Sequence, residues 1–220
     1  MRTRHGFERL VTFADAVVAI ALTLLVLPLT EIATDLDGEK DVWGVLGDHK
    51  DAIGAFVLSF VVIWVFWTAH HRMMEFFQAY DGVILRLTLI WLFTIVTLPF
   101  VTQLLAGEEY GLGAAPLYDG VLFVSSLSLA GMSWWGHRRP ALLHPDSEEV
   151  RRWLAEPTTL VTPAILLVAL VLSIFAPAVG SWPLLALVLD DRIEHLWLRL
   201  RGKRGRGLPA VPGTAPAPRS

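Results

Sequence analysis

Asp15 is the side chain with the greatest chemical consequence in this sequence. It stands alone among apolar residues that run from Val11 to Leu29. A carboxylate inside a lipid-spanning helix is costly, so it faces protein or water and marks a proton, ion or structural contact. Candidate partners stand at the ends of other apolar runs: Arg9 six residues earlier, Trp67, the His70-His71-Arg72 triplet, and Arg86. Two readings fit such a cluster. One is a proton-linked or gating network; the other is a brace that locks the first three runs together. The brace is favoured, because a satisfied buried polar network chiefly specifies packing.

Ile20, Leu24 and Leu27 are spaced i, i+4 and i+7, which puts them on one helix face with Thr23 on the neighbouring stripe. An aliphatic stripe usually meets lipid or protein. Repeated around a symmetry axis, it makes a constriction that gates by dewetting. The histidine pair is a poor metal site, because adjacent helical residues point about 100° apart. The sequence holds no cysteine, no HExxH, no Walker loop and no GxSxG, so no enzyme class is indicated and no cofactor is expected. It also lacks a TVGYG-type filter and an internal repeat of its apolar pattern.

The elements that must position these residues are membrane helices. Of the 220 residues 54% are hydrophobic and 18% charged, whereas a soluble domain is about 45–50% apolar and 25% charged. Spans need about 20 apolar residues. The candidates run over 11–29, 53–70, 83–105, 117–135 and 160–176, with a weaker sixth over 179–189. Pro99 is expected to interrupt the third near its end. With six spans, 16 of the 18 Lys and Arg residues fall on one side, leaving only Lys40 and Lys50 opposite. That side is therefore expected to be cytoplasmic, with both termini on it. The first span is too long for a signal peptide and lacks a cleavage site, so it is expected to be retained. The expected fold is thus an all-α membrane protein of six transmembrane helices over residues 1–201. A basic, Pro-rich tail over 202–220 is expected to be disordered and cytoplasmic. Nucleic-acid binding has no support beyond that tail.

The outer loops are acidic, with Glu31, Asp35, Asp37, Glu39, Asp41, Asp48, Asp51, Glu108 and Glu109. They could concentrate cations, although outer loops also avoid Lys and Arg for topological reasons alone. Most tryptophans lie near span ends, where an aromatic belt accounts for them. Trp64, Trp67 and Trp91 lie deeper.

The first span resembles the signature helix of the transmembrane protein 175 family, the endolysosomal potassium channels and their prokaryotic relatives. The motif of that helix is Arg-x-x-x-Phe-Ser-Asp before a long apolar run. This sequence has Arg9, Phe13 and Asp15, with Ala14 in place of the serine. Trp67-Thr-Ala-His70-His71 resembles the family's Trp-x-x-His-His segment, and Leu98-Pro99-Phe100-Val101-Thr102 its Leu-Pro-Phe-x-Thr segment. The resemblance is specific over the first three spans. It implies a single-repeat, prokaryotic-type homotetramer in the plasma membrane that passes potassium and other monovalent cations. It further implies that Ile20, Leu24 and Leu27 form the pore constriction with Thr23 nearby. Arg9, Phe13, Asp15, Trp67 and His70 would then belong to one motif network. A proton-coupled or small-solute transporter using Asp15 and His70, and a non-conducting structural membrane protein, are the alternatives.

Overall fold

The computed structural model describes residues 4–32, 42–106, 111–145, 147–155 and 161–175. Within them the chain is helical: α1 (Arg4–Leu24), α2 (Leu27–Ile32), α3 (Val42–Asp48), α4 (Lys50–Met74), α5 (Gly82–Ala106), α6 (Gly111–Arg138), α7 (Glu148–Ala155) and α8 (Val161–Phe175), with a 3-10 turn at Pro140–Leu142. Four stretches are long and apolar enough to cross a membrane: His5–Thr30, Lys50–Met74, Gly82–Ala106 and Gly113–Arg138. Thr162–Leu172 is apolar but shorter. This is a multi-pass, all-α membrane protein. The sixth apolar run, the tail, the acidic residues 35–41 and 108–109, Trp182 and Trp197 lie outside the described residues.

The central element is α5, which packs on α1, α4 and α6, while α8 packs on α6. Its sequence from Val83 to Ala106 carries one charge and no glycine, and both β-branched and aromatic residues sit well on a surface buried by neighbouring helices. Ile84, Trp91, Ile95, Leu98 and Val101 of α5 are fully buried, and meet Ile63 and Phe66 of α4 and Leu122 and Met132 of α6. On α1 the packed face is Phe7, Leu10, Ala14, Val18, Ala21 and Leu25, a three-and-four spacing that only a helix brings to one side.

Two prolines behave differently from each other. Pro99 does not interrupt α5, which continues to Ala106. Its missing N–H leaves the Ile95 carbonyl without a helical donor, but Leu98 and Val101 on either side are buried among neighbouring helices, and the helix continues past the gap. Pro28 does break the first span. Without its N–H the Leu24 carbonyl has no i+4 donor, and the chain tightens: Val26 N bonds to Thr23 O at 3.3 Å and Leu29 N to Val26 O at 3.0 Å. The single helix expected from Val11 to Leu29 is therefore two, with a turn at Leu25–Val26.

One end of the bundle is tied together by its loops. Phe77 and Leu143 form an antiparallel bridge, Gln78 N bonds to Leu142 O at 2.9 Å, and His144 N to Phe76 O at 3.0 Å. Trp153 of α7 stacks on Phe76 with centroids 5.2 Å apart. Gly136 lets these rings approach: a Cβ there would sit 2.9 Å from Phe77 Cζ. Asp81 caps α5, its Oδ1 accepting from Val83 N (2.9 Å) and Ile84 N (3.0 Å) while Oδ2 accepts from Trp135 Nε1 at 2.9 Å. Burial pushes the Asp81 carboxyl up, but those three hydrogen bonds and the Arg139 charge outweigh it, so it lies below its ordinary 3.8. A depressed carboxyl stabilises the fold above its unfolded value, and that stability is lost as pH falls through the folded value. Asp81→Ala is expected to cost about 1 kcal/mol near neutral pH. The difference from wild type should shrink below pH 3.8. Thermal unfolding of both proteins across that range checks this; a pH-independent difference refutes the cap.

Candidate functional site

The Asp15 cluster forms where α1 packs on α4. Asp15 Oδ1 accepts a hydrogen bond from Trp67 Nε1 at 2.8 Å. His71 Nδ1 stands 3.7 Å from the same oxygen, within ion-pair reach but too long for a hydrogen bond. Trp67 is clasped in turn by rings, with Trp64 and His71 centroids each 5.1 Å away. The expected partners divide as follows. Asp15 and Trp67 meet directly. His71 joins them. His70, the next residue and about 100° around the helix, faces α5, where it is buried and stacks on Trp91 with centroids 4.0 Å apart and planes 6° from parallel. Neither His70 ring nitrogen nor Trp91 Nε1 has a hydrogen-bond partner among the described residues, so packing rather than hydrogen bonding holds that imidazole. Arg9 and Phe13 are exposed on α1. Arg86 Nε donates to Gly82 O at 2.9 Å, within its own helix.

Ile20, Leu24 and Leu27 lie away from the packed face of the first span, at 59%, 40% and 55% exposure. The turn at Leu25–Val26 puts Leu24 at the end of α1 and Leu27 at the start of α2. Thr23, also exposed, donates its hydroxyl to Ile20 O at 2.7 Å. The line of side chains is thus apolar, accessible and divided by the turn between α1 and α2.

Two features escaped the sequence reading. Asp119 lies in the apolar part of α6 at 1% exposure. The rule that singled out Asp15, an acid within an apolar run, applies equally to Asp119 and could have found it. Beside it, Tyr118 Oη lies 3.0 Å from Ser59 Oγ, which lies 2.7 Å from Thr102 Oγ1. This buried hydroxyl chain ties α4, α5 and α6. No sequence pattern marks it, because its three members belong to three different helices.

Residues 9–99 match the family described as endosomal/lysosomal potassium channel TMEM175. That match covers 91 of the 220 residues. The segment ends at Pro99 and so takes in α1, α4 and most of α5, the three helices that hold Asp15, Trp67, His70 and Trp91. A potassium channel of Streptomyces collinus is 30% identical over 131 residues, covering 58% of this chain and 62% of its own length. The Mus musculus endosomal/lysosomal proton channel TMEM175 is 27% identical over 176 residues, covering 76% of this chain and 34% of its own length. The chain therefore spans less than two thirds of either relative. The fold matches the crystal structure of a lysosomal potassium-selective channel TMEM175 homolog from Chamaesiphon Minutus with a TM-score of 0.62 and 24% identity, covering 86% of this chain and 98% of that one. At that identity the likeness speaks for the TMEM175 fold alone.

Proposed function

We propose that this chain is one subunit of a homotetrameric, potassium-permeable cation channel of the plasma membrane. Each subunit has six spans within residues 1–201, a cytoplasmic tail over 202–220, and both termini in the cytoplasm. The first span lines the pore. Ile20, Leu24 and Leu27 form an aliphatic constriction, Thr23 stands beside it, and no carbonyl filter is needed. Asp15 and Trp67 hold the pore helix on α4.

The observation that carries this reading is the two-faced first span. One face is packed on the bundle, and another, about 110° around the helix, presents an accessible aliphatic line that reaches the Pro28 turn. Four such lines around an axis would narrow and dry the passage, so that ions lose hydration there without fixed oxygens to replace it. Modest selectivity is the consequence. The name of the Streptomyces relative is consistent with potassium as the permeant ion.

Purified protein in liposomes with an outward potassium gradient is expected to release potassium faster than empty liposomes. Folded, inserted protein that releases none would sink the channel reading.

A second reading, proton permeation, is favoured by the animal relatives' naming as proton channels. It draws on Asp15 with His71 at 3.7 Å. Under a pH gradient without potassium, dye acidification at wild-type level would support it; a potassium flux with no proton flux would exclude it.

A further inference from the structure

The end of α6 carries a cation stacked on an aromatic ring. Arg138 lays its guanidinium over the Trp134 ring, Cζ 4.0 Å from the centroid. That spacing is one helical turn, which stacks the two side chains. Three other arginines of this end have acidic company, whereas Arg86 donates to a backbone carbonyl of its own helix. Arg139 lowers the Asp81 carboxyl. Arg151 and Arg152 reach Glu148 at 3.9 and 4.0 Å. Among the described residues, no carboxylate lies within 4 Å of Arg138.

What lies below Arg138 on the same face decides the class of partner. Val124, Leu127, Gly131, Trp134 and Arg138 follow one another at spacings of three and four, so they form one continuous stripe along α6. Val124, Leu127 and Trp134 are exposed, the tryptophan at 46%. Gly131 leaves a shallow place in the stripe, floored by Leu87 of α5 about 3.4 Å from where a Cβ would stand. An apolar track about 20 Å long at 1.5 Å per residue, ending in an interfacial tryptophan and an arginine fork, has the shape and polarity of a phospholipid. A free phosphate would use only its last residue.

We propose that this stripe is a binding site for an anionic phospholipid, with the acyl chain along Val124, Leu127 and Gly131 and the headgroup phosphate on Arg138. The inference rests on the membrane-spanning fold and is independent of whether the protein conducts. Trp134 holds the guanidinium flat, so that its outer N–H edge faces the phosphate in a bidentate arrangement. The stack also reduces the freedom Arg138 would lose on binding. The neighbouring positive charge of Arg139, Arg151 and Arg152 adds a general attraction to anionic lipid.

The test titrates the detergent-purified full chain with phosphatidylglycerol, phosphatidylcholine or inorganic phosphate, and reads bound lipid by native mass spectrometry and the thermal unfolding midpoint. Phosphatidylglycerol should bind and raise the midpoint, while phosphatidylcholine and inorganic phosphate should not. Arg138→Gln should weaken phosphatidylglycerol binding about fivefold, whereas Arg151→Gln should change it by less than about twofold. Arg138→Lys, which keeps the charge but loses the fork, should fall between wild type and Arg138→Gln, and it carries the test if the glutamine variant fails to fold. Equal binding of the two lipids, wild-type affinity in both Arg138 variants, or an equal response to inorganic phosphate would each overturn the site. So would a stripe shielded between copies of the chain, seen as phosphatidylglycerol binding only after the oligomer dissociates.

Discussion

Liposomes carrying Leu27→Asn are expected to lose potassium about tenfold faster than liposomes carrying the wild-type protein. The reasoning starts from hydration. A narrow ring of aliphatic side chains gives water no hydrogen-bond partners, so the passage empties and an ion must shed hydration to enter it. Asn matches Leu in heavy-atom count and branching while being smaller, and its amide offers both donors and an acceptor. Four of them at one level would hold water in the constriction and lower the barrier. The substitution should spare the fold, because Leu27 is 55% exposed and its removal opens no core cavity. Phe93→Asn is the matched control. Phe93 is exposed on α5, away from the proposed pore line, and its replacement should leave flux at the wild-type rate. Equal flux from Leu27→Asn and wild type would remove the first span from the pore. A rise in the Phe93 variant as well would mean that any added amide causes leak.

The second large effect concerns the contact between α1 and α4. Asp15→Ala takes the acceptor from Trp67 Nε1, bonded at 2.8 Å, and the carboxylate from the His71 ring 3.7 Å away. A hydrogen bond to a charged group contributes about 1.5–3 kcal/mol, and an indole N–H left unpaired in a partly buried place adds to the cost. Asp15 is one-third exposed, so water recovers part of that, and a net loss of about 2 kcal/mol is expected. Denaturant unfolding in detergent would measure it. Asp15→Asn separates the causes: its amide oxygen can still accept from the indole, so most of the stability should return if the hydrogen bond dominates. In a cycle with Trp67→Phe, the coupling should reach about 1–2 kcal/mol. Additive losses would mean that the two side chains touch without holding the helices. In liposomes, Asp15→Ala should also change potassium flux, because the helix it frees is the proposed pore helix.

Much of the architecture was legible in the chain itself. Lipid has no hydrogen bonds to offer, so each crossing must be a helix long enough to satisfy its own backbone, and long apolar runs announce it. Runs one to four reappear as α1 with α2, α4, α5 and α6. The partner of Asp15 was legible in kind, because an acid within an apolar span demands a donor and few donors stood at its depth. Which donor was not legible: Trp67 and His71 took the place, while His70 turned to Trp91, a choice of helix rotation that only the packing of α5 against α4 makes.

Composition and charge order by themselves determined that this chain crosses a membrane as helices, and its motifs determined the family model that residues 9–99 match. These properties are local, set by hydropathy and by residues close together in the chain. The tertiary structure decided the rest. It decided that the first span divides into two helices just before Pro28 while α5 runs on past Pro99, since a missing N–H is better tolerated where neighbours pack around it. It brought Ser59, Thr102 and Tyr118 from three helices into one buried hydroxyl chain. It set the Arg138 guanidinium over the Trp134 ring, with no carboxylate within 4 Å among the described residues. Each depends on which faces of distant helices meet, and that is settled by the packing of the whole bundle rather than by any single run of residues.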